Sequence, residues 1–130
     1  MILDFIVLKD TYSIYRSDKN ASIPDWTDKS DFCSITRTQD ELSIVCKQAD
    51  ITFDDKIIAD KNWRIFKIKG PLDLSMVGIL ADIAELFKKN KIPIFVISTY
   101  ETDYILVKEQ NLDEAIEALK SNGNKVIFEK

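Results

Sequence analysis

The sequence predicts an α+β protein made of two small α/β plaits in tandem, with antiparallel sheets and with the first plait degenerate. The patterns of the second half follow the order β-α-β-β-α-β, which is the split βαβ plait. The first half shows strand-like runs and a hairpin pattern with little helix. The chain has 130 residues, enough for two very small domains. We therefore expect one domain over residues 1–60 and another over residues 61–130.

The second half begins with a strand and an amphipathic helix. Residues 62–69 are typical of a strand, with Phe66 and Ile68 alternating against Lys67 and Lys69. A helix is predicted from about Met76 to Asn90, with Ser75 as its N-cap. Apolar residues recur there at helical spacing and predict one buried stripe, which consists of Met76, Ile79, Leu80, Ile83, Leu86 and Phe87.

A hairpin, a second helix and a last strand complete this half. Residues 92–99 form a nearly continuous apolar run, typical of a central strand, and a tight turn leads into a strand over residues 104–108. Asn111 is expected to cap the second helix, and Gly123 is expected to end it in the left-handed conformation. Residues 126–129 supply the last strand.

The first half has a weaker pattern. Residues 3–8 and 12–16 are typical of strands, and a short helix that includes Trp26 is expected to start near Ser22. Residues 32–36 and 42–45 predict a hairpin. Residues 48–61 have no clear period and are interpreted as the link between the halves. The result is a degenerate plait that could borrow a strand from its neighbour.

Charge and residue types restrict the possible functions. The chain has 18 basic and 22 acidic residues, a net charge of −4, without a clustered basic face, which argues against nucleic-acid binding. It has no histidine and two cysteines without metal-type spacing, which argues against a metal site and against histidine-assisted catalysis. Both cysteines, Cys33 and Cys46, are interpreted as buried free thiols.

The same reasoning predicts a cytoplasmic protein that is not an enzyme and needs no cofactor. There is no signal-peptide pattern and no apolar run of membrane-spanning length. The adjacent carboxylates Asp40 and Glu41, and likewise Asp54 and Asp55, are typical of solvated turns, since neighbours on a strand point to opposite faces.

Two motifs carry a family resemblance. From Trp63 to Lys108 the chain contains a strand, then KGPLD, then GILADIAELFKKNKIPIFVISTYETDYILV. This stretch resembles ACT domains, the regulatory modules that bind amino acids at domain interfaces. With FCSITRTQDELSIV at residues 32–45, it is similar to the bacterial tandem-ACT family related to the CASTOR arginine sensors of animal cells. The resemblance covers nearly the whole chain and implies two ferredoxin-like ACT domains.

The resemblance also implies a ligand site. In that family the ligand lies between the second ACT domains of two pairs, so a chain with one pair implies a homodimer with up to two symmetric pockets. One wall would come from the start of the first helix, one from the turn after the apolar strand, and one from the partner subunit. These walls are Met76, Gly78, Ile79 and Leu80; Thr99, Tyr100 and Asp103; and Pro93 and Ile94 of the partner subunit.

The chemistry of this set suits an α-amino acid. A helix N-terminus favours a carboxylate, and Gly78 lets a ligand approach the backbone. Asp103 could pair with an α-ammonium, a contact of about 1.5–3 kcal/mol, and Tyr100 could cover an aliphatic side chain or stack on a cation. Structural explanations stay open: Gly78 could serve helix–sheet packing, and Asp103 could bond backbone amides.

One departure from the arginine sensors bears on the ligand. They have an acidic residue two positions before the helix glycine, where this chain has Met76. Methionine favours an apolar or smaller ligand side chain, although another acidic residue could substitute. The predicted function is a small-molecule-binding regulatory protein that senses an amino acid or a similar metabolite and acts on an unknown protein partner. The alternative is a ligand-free dimerisation or protein-interaction scaffold.

Overall fold

The computed structural model describes residues 2–54, 57–72 and 77–130. The chain divides into two compact units: unit 1 is Met1–Lys9 with Arg64–Lys130, and unit 2 is Asp10–Trp63. The described residues form eight strands and two α-helices. The strands are β1 Asp4–Val7, β2 Tyr12–Ser17, β3 Cys33–Arg37, β4 Leu42–Lys47, β5 Ile58–Ile68, β6 Phe95–Ser98, β7 Asp103–Lys108 and β8 Lys125–Phe128; the helices are α1 Ile79–Lys89 and α2 Leu112–Ser121.

In unit 1 the strands lie in the order β8-β1-β5-β7-β6, with the second half of β5 taking part. β1 is antiparallel to β5 and parallel to β8. The predicted antiparallel sheet was therefore wrong for this unit, because the N-terminal strand is inserted between β5 and β8 and makes the sheet mixed. The remaining elements keep the predicted order β-α-β-β-α-β from β5 to β8.

The helices of unit 1 cover one face of this sheet. Alternate strand residues point towards them, among them Phe5 and Phe66, whose rings pack edge to face at 6.4 Å between centroids. The predicted stripe of the first helix is confirmed for Ile79, Ile83 and Phe87, which α1 contributes to this core. The residues that α2 contributes are Leu112, Ala115, Ile116 and Leu119. Burial of these apolar side chains is the main driving force that fixes α1 on the sheet.

Unit 2 is an antiparallel sheet in the order β3-β4-β2-β5, with the first half of β5 at one side. The predicted hairpin is confirmed as β3 and β4. The short helix expected near Ser22 is instead a 3₁₀ turn at Asp25–Lys29. Trp26 in this turn packs edge to face on Tyr15, with 5.4 Å between ring centroids.

Several element bounds differ from the prediction. α1 begins at Ile79, after a Gly78 with φ 87°, and not at about Met76; Ser75 and Met76 lie outside the described residues. The first four residues of β5 come from the segment that was interpreted as a link. Three of them, residues 58–60, pair with β2. The strand expected over residues 92–99 is shorter, at Phe95–Ser98.

Of the two caps predicted for α2, the N-terminal one is wrong and the C-terminal one is confirmed. Asn111 makes no side-chain cap, because a 3₁₀ turn at Glu109–Asn111 leads directly into α2. Gly123 has φ 90°, as predicted, and its N–H donates to the Lys120 carbonyl at 3.0 Å. The compact units also differ from the expected boundaries 1–60 and 61–130, since β1 pairs within unit 1.

Candidate functional site

A cavity of about 300 Å³ lies in unit 1 between the start of α1 and the turn that joins β6 to β7. The structure brings together there most of the residues that the sequence analysis selected on this chain. The predicted residues that line the cavity are Gly78, Ile79, Leu80, Thr99, Tyr100 and Asp103, and the others are Leu72, Ala81, Ser98, Glu101 and Thr102.

The first wall is the N-terminal end of α1. Gly78 has φ 87°, a left-handed conformation that is strained for residues with a β-carbon. A Cβ on Gly78 would meet no atom of the described residues within 4 Å, so they leave this part of the wall open. The first helical bond is donated by Asp82 to the Gly78 carbonyl at 2.9 Å. The amides of Ile79, Leu80 and Ala81 precede it, and such first-turn amides carry a partial positive charge without acceptors inside the helix.

The second wall is the turn from Thr99 to Thr102. The Thr99 N–H donates to the Thr102 carbonyl at 2.9 Å, and the Thr99 hydroxyl donates to the same carbonyl at 3.0 Å. The Thr102 side chain points inward, is 5% exposed, and donates from its hydroxyl to the Ile68 carbonyl at 2.6 Å. The turn is thus bonded to the end of β5 and forms a wall of defined shape.

The segment after β5 packs against this turn. The Leu72 N–H donates to the Glu101 carbonyl at 2.6 Å. A Cβ on Gly70 would come within 3.0 Å of the Glu101 carbonyl oxygen and 3.2 Å of the Thr102 Cβ. Glycine at position 70 therefore allows two stretches of backbone to approach closely, and this contact brings the Leu72 side of the cavity against the turn.

The two charged side chains among the described lining residues are carboxylates. Asp103 at the start of β7 is half-buried, and Glu101 in the turn is exposed. No lysine or arginine is among the described lining residues. Tyr100 stands at the rim with 82% of its surface exposed. The cavity therefore combines helix amides, which favour a negative group, with two carboxylates, which favour positive groups.

Sequence reasoning missed Glu101 as a lining residue, along with Leu72, Ala81, Ser98 and Thr102. Glu101 and Thr102 could have been predicted, because they lie between Thr99 and Asp103 in the same turn. Of the remaining selected residues, Pro93 and Ile94 do not line the cavity: Pro93 is exposed and Ile94 packs on the core of unit 1. Met76 lies outside the described residues.

The same turn borders a further cavity of about 300 Å³, where Lys67 and Tyr104 join Tyr100 and Glu101. A wider groove of about 590 Å³ runs between α1 and α2 and is lined by Asp113, Glu114 and Glu117 among others. Within the described part of the chain, no helix is long and apolar enough to cross a membrane. The described residues also contain no group of three or more histidine, cysteine, aspartate or glutamate side chains that could hold a metal ion.

Comparison with known proteins gives two family matches and a set of similar structures. A model of the ACT domain matches residues 58–121, and a model described as an N-terminal domain matches residues 10–54. A crystal structure of a protein from Agobacterium tumefaciens is 34% identical, with a TM-score of 0.90, and the match covers 100% of this chain and 96% of that one.

Two aspartate kinase structures show likeness of fold alone. The Clostridium acetobutylicum aspartate kinase, described as an allosteric enzyme, is 13% identical with a TM-score of 0.65, over 87% of this chain and 33% of that one. A Porphyromonas gingivalis chain, described as a proposed C-terminal regulatory domain of aspartate kinase, is 17% identical with a TM-score of 0.55. That match covers 90% of this chain and 94% of the other.

Proposed function

Because the chain belongs to the ACT-domain family, we propose that it is a regulatory protein that binds an amino acid or a similar small metabolite. The observation that carries this proposal is the cavity at the start of α1, which is lined by the first turn of a helix and by two carboxylates. A volume of about 300 Å³ is at the lower end of the range for ligand pockets, which suits a molecule as small as one amino acid.

The ligand would lie with its carboxylate on the helix and its ammonium on the turn. The first-turn amides of Ile79, Leu80 and Ala81 would donate to the carboxylate, helped by the partial positive charge of the helix end. Asp103 would accept from the α-ammonium, and a charge-assisted bond of this kind contributes about 1.5–3 kcal/mol. The hydrogen bonds within the turn keep Asp103 in place before the ligand arrives, which lowers the ordering cost of binding.

The charge of the cavity restricts the ligand side chain. Glu101 adds a second carboxylate, and no cation is among the described lining residues, so a ligand with a second carboxylate would meet repulsion. A neutral side chain, or one with a positive charge near Glu101, meets no such cost. The arginine sensors have an acidic residue at the position of Met76, and Glu101 could serve in its place. A relation to the arginine sensors therefore stays part of this proposal.

We also propose that a second copy of the chain closes the site. In the described part of the chain β6 pairs with β7 alone, and its Val96 is 37% exposed. An exposed strand edge presents unpaired backbone groups to another strand. Pro93 and Ile94 directly precede β6, so association along this edge would carry Pro93 and Ile94 of the partner subunit towards the cavity. A ligand held by both copies would stabilise the homodimer by mass action, and the dimer would signal to a protein partner.

A tandem arrangement of two ACT domains is part of the proposal. In unit 2, β2 to β5 lie in the order β3-β4-β2-β5. In unit 1, the corresponding elements β5 to β8 lie in the order β6-β7-β5-β8 once β1 is set aside. The shared order supports the interpretation of unit 2 as a degenerate plait whose helices have shrunk to 3₁₀ turns.

We propose a binding role in the cytoplasm rather than catalysis. The chain has no histidine, and the adjacent carboxylates Asp40 and Glu41 follow β3 in an exposed turn closed by the Thr38 N–H bond to the Glu41 carbonyl at 2.9 Å. The alternative function is a ligand-free scaffold for dimerisation or protein interaction, and the exposed edge of β6 is the observation that favours it.

A thermal-shift screen against the twenty amino acids and related metabolites tests the proposal, with the oligomeric state measured by light scattering. The proposal predicts a dimer that is stabilised by one or a few amino acids with neutral or basic side chains. Asp103→Ala should abolish this stabilisation. Asp113→Ala, which removes an exposed carboxylate from α2, is the matched control and should leave it unchanged.

Two results would decide against parts of the proposal. A flat screen at millimolar concentrations, with a stable dimer, would favour the scaffold and direct the search to a protein partner. If a ligand stabilises the protein but the protein is monomeric with and without it, the cavity remains the proposed site. The partner subunit would then take no part in binding.

A further inference from the structure

Cys33 and Cys46 face each other across the outer pair of strands in unit 2. They are register partners on β3 and β4, both are free thiols, and their Sγ atoms lie 2.7 Å apart. We propose that this pair is a reversible modification site, at which a low-molecular-weight disulfide such as oxidised glutathione converts the two thiols to a cross-strand disulfide.

The backbone already provides the geometry that such a bond requires. The antiparallel register holds on the C-terminal side of Cys33 up to Arg37 opposite Leu42. Directly opposite residues in an antiparallel pair have Cβ atoms about 4.5–5.5 Å apart, and a disulfide brings them to about 3.5–4.5 Å. The two sulfur atoms therefore reach bonding distance by a small approach of the strands, with no change of register.

Local contacts hold the two strand ends together at this point. The Lys47 N–H donates to the Ser30 hydroxyl at 3.0 Å, and that hydroxyl donates to the Phe32 carbonyl at 2.6 Å. Phe32 in turn packs edge to face on Tyr12, with 5.8 Å between ring centroids. The residues before Cys33 are thus fastened to those after Cys46, and the two thiols have little freedom to separate.

Unequal exposure sets the order of the chemical steps. Cys46 is fully buried, whereas Cys33 is partly exposed, so an external reagent reaches Cys33 first. The Cys33 thiolate attacks one sulfur of the glutathione disulfide, and one glutathione thiolate leaves. The Cys46 thiolate then attacks the Cys33 sulfur of the mixed disulfide and expels the second glutathione. In total, two protein thiols are oxidised, one disulfide is reduced to two glutathione thiols, and the two protein protons go to the leaving thiolates.

The disulfide would join the edge strand β3 covalently to β4. Within the described residues β3 pairs with β4 alone and carries an Ile35 that is 41% exposed. A covalent bond between Cys33 and Cys46 removes the opening of this edge and restricts the unfolded chain, which together raise the stability of unit 2. Reduction by an excess of thiol restores the original pair.

Peptide mapping of the wild-type protein tests the proposal directly. The protein is incubated with oxidised glutathione, blocked with an alkylating reagent, and digested with trypsin. Trypsin cleaves after Lys29, Arg37 and Lys47, so Cys33 and Cys46 fall in separate peptides, residues 30–37 and 38–47. We expect these two peptides to be joined, an intact mass lower by about 2 Da, and a return to two free peptides after treatment with dithiothreitol.

Thermal unfolding provides a second readout. The oxidised protein should melt about 5–10 °C higher than the reduced one, as expected for a short closed loop in a chain of this size. Cys33→Ser, at the more exposed of the two positions, is the control: it should show neither the joined peptides nor the shift.

Three results would overturn the proposal. One is a stable glutathione adduct on Cys33 with Cys46 still open to alkylation after unfolding. Another is a disulfide between two chains in place of the internal one. The third is an internal disulfide that lowers the melting temperature, which would show that the native strands do not accommodate it.

Discussion

The hydroxyl of Thr102 donates a 2.6 Å hydrogen bond to the Ile68 carbonyl, and this buried contact joins the turn that lines the cavity to the end of β5. Both residues are removed from solvent, with exposures of 5% and 0%. The bond therefore connects the core of unit 1 to the position of Glu101 and Asp103, which the proposed function assigns to the ligand.

Removal of this hydroxyl should destabilise the protein. Thr102→Val keeps the shape of the side chain and leaves the Ile68 carbonyl without its donor, which costs about 1–3 kcal/mol in the free energy of unfolding. Chemical denaturation should show this loss as a lower midpoint. Thr36→Val, the same change at an exposed position of β3, should have almost no effect. Equal stability of the two variants would contradict the role given to the Thr102 bond.

Two glycines with the same backbone conformation allow stability and binding to be separated. Gly78 has φ 87° and Gly123 has φ 90°. Alanine at either position should cost about 1–2 kcal/mol from the left-handed backbone alone. Among the described residues, a Cβ would meet nothing within 4 Å at Gly78 and only ordinary contacts with Ile2 at Gly123. We expect similar losses of stability, but a lower ligand affinity for Gly78→Ala only, in calorimetric titration of the ligand found in the screen.

The two cavity carboxylates should contribute differently to binding. Asp103→Asn removes the charge opposite the α-ammonium of any amino acid, and should lower affinity by about 10-fold to 100-fold for every ligand. Glu101→Gln should lower affinity for a ligand with a basic side chain and have little effect on a neutral one. Isothermal titration with one ligand of each kind checks this, and Glu109→Gln, at an exposed position after β7, is the control. Equal losses for both ligands in Glu101→Gln would contradict the proposed place of the side chain.

The thiol pair should make stability fall at alkaline pH. Burial, and then the hydrogen bond with Cys33, raise the pKa of the Cys46 thiol, and the nearby carboxylate of Asp50 adds to this. Burial also raises the pKa of Cys33, with a smaller contribution from Asp28. The folded state thus keeps protons that the unfolded state releases above the ordinary thiol pKa of about 8.5, so this stability is present at lower pH and is lost as the pH rises towards the folded pKa values.

Urea denaturation under reducing conditions between pH 7 and pH 10 measures this dependence. The unfolding free energy of the wild type should decline with pH more steeply than that of Cys46→Ala, by up to about 1.4 kcal/mol per pH unit for that thiol. The comparison is between slopes, so the overall destabilisation expected from an alanine at a buried position does not affect it. Equal slopes for the wild type and Cys46→Ala would show that the thiols are solvated and would contradict the raised pKa of the Cys46 thiol.

The second half of the fold could be predicted because its elements carry their own signals. The spacing of Ile79, Ile83 and Phe87 specifies a helix face without knowledge of the sheet below it. The place of β1 could not be predicted in this way. Residues 4–7 are typical of a strand, but their pairing with β5 and β8 depends on partners some sixty to one hundred and twenty residues away, and no local pattern encodes such a choice.

Part of the candidate site could likewise be predicted from the sequence, and part could not. Thr99, Tyr100 and Asp103 were named because the resemblance implies this turn as a wall of the site, and all three line the cavity. The cap at Gly78 could not be placed from the sequence, since the apolar repeat of α1 continues back to Met76 and hides the true start of the helix. Glu101 was not predicted because the resemblance implies only its neighbours Tyr100 and Asp103 as site residues.

The most direct test of the proposed function is a two-dimensional amide NMR titration of the isotope-labelled protein with pools of the twenty amino acids at millimolar concentration. We predict that one pool shifts the signals of Ile79, Leu80 and Ala81 together with those of residues 99–103, while the signals of Asp113 and Glu117 in the groove between the helices stay in place. Shifts confined to that groove, or no shifts with any pool, would contradict the assignment of an amino-acid site to the cavity at the start of α1.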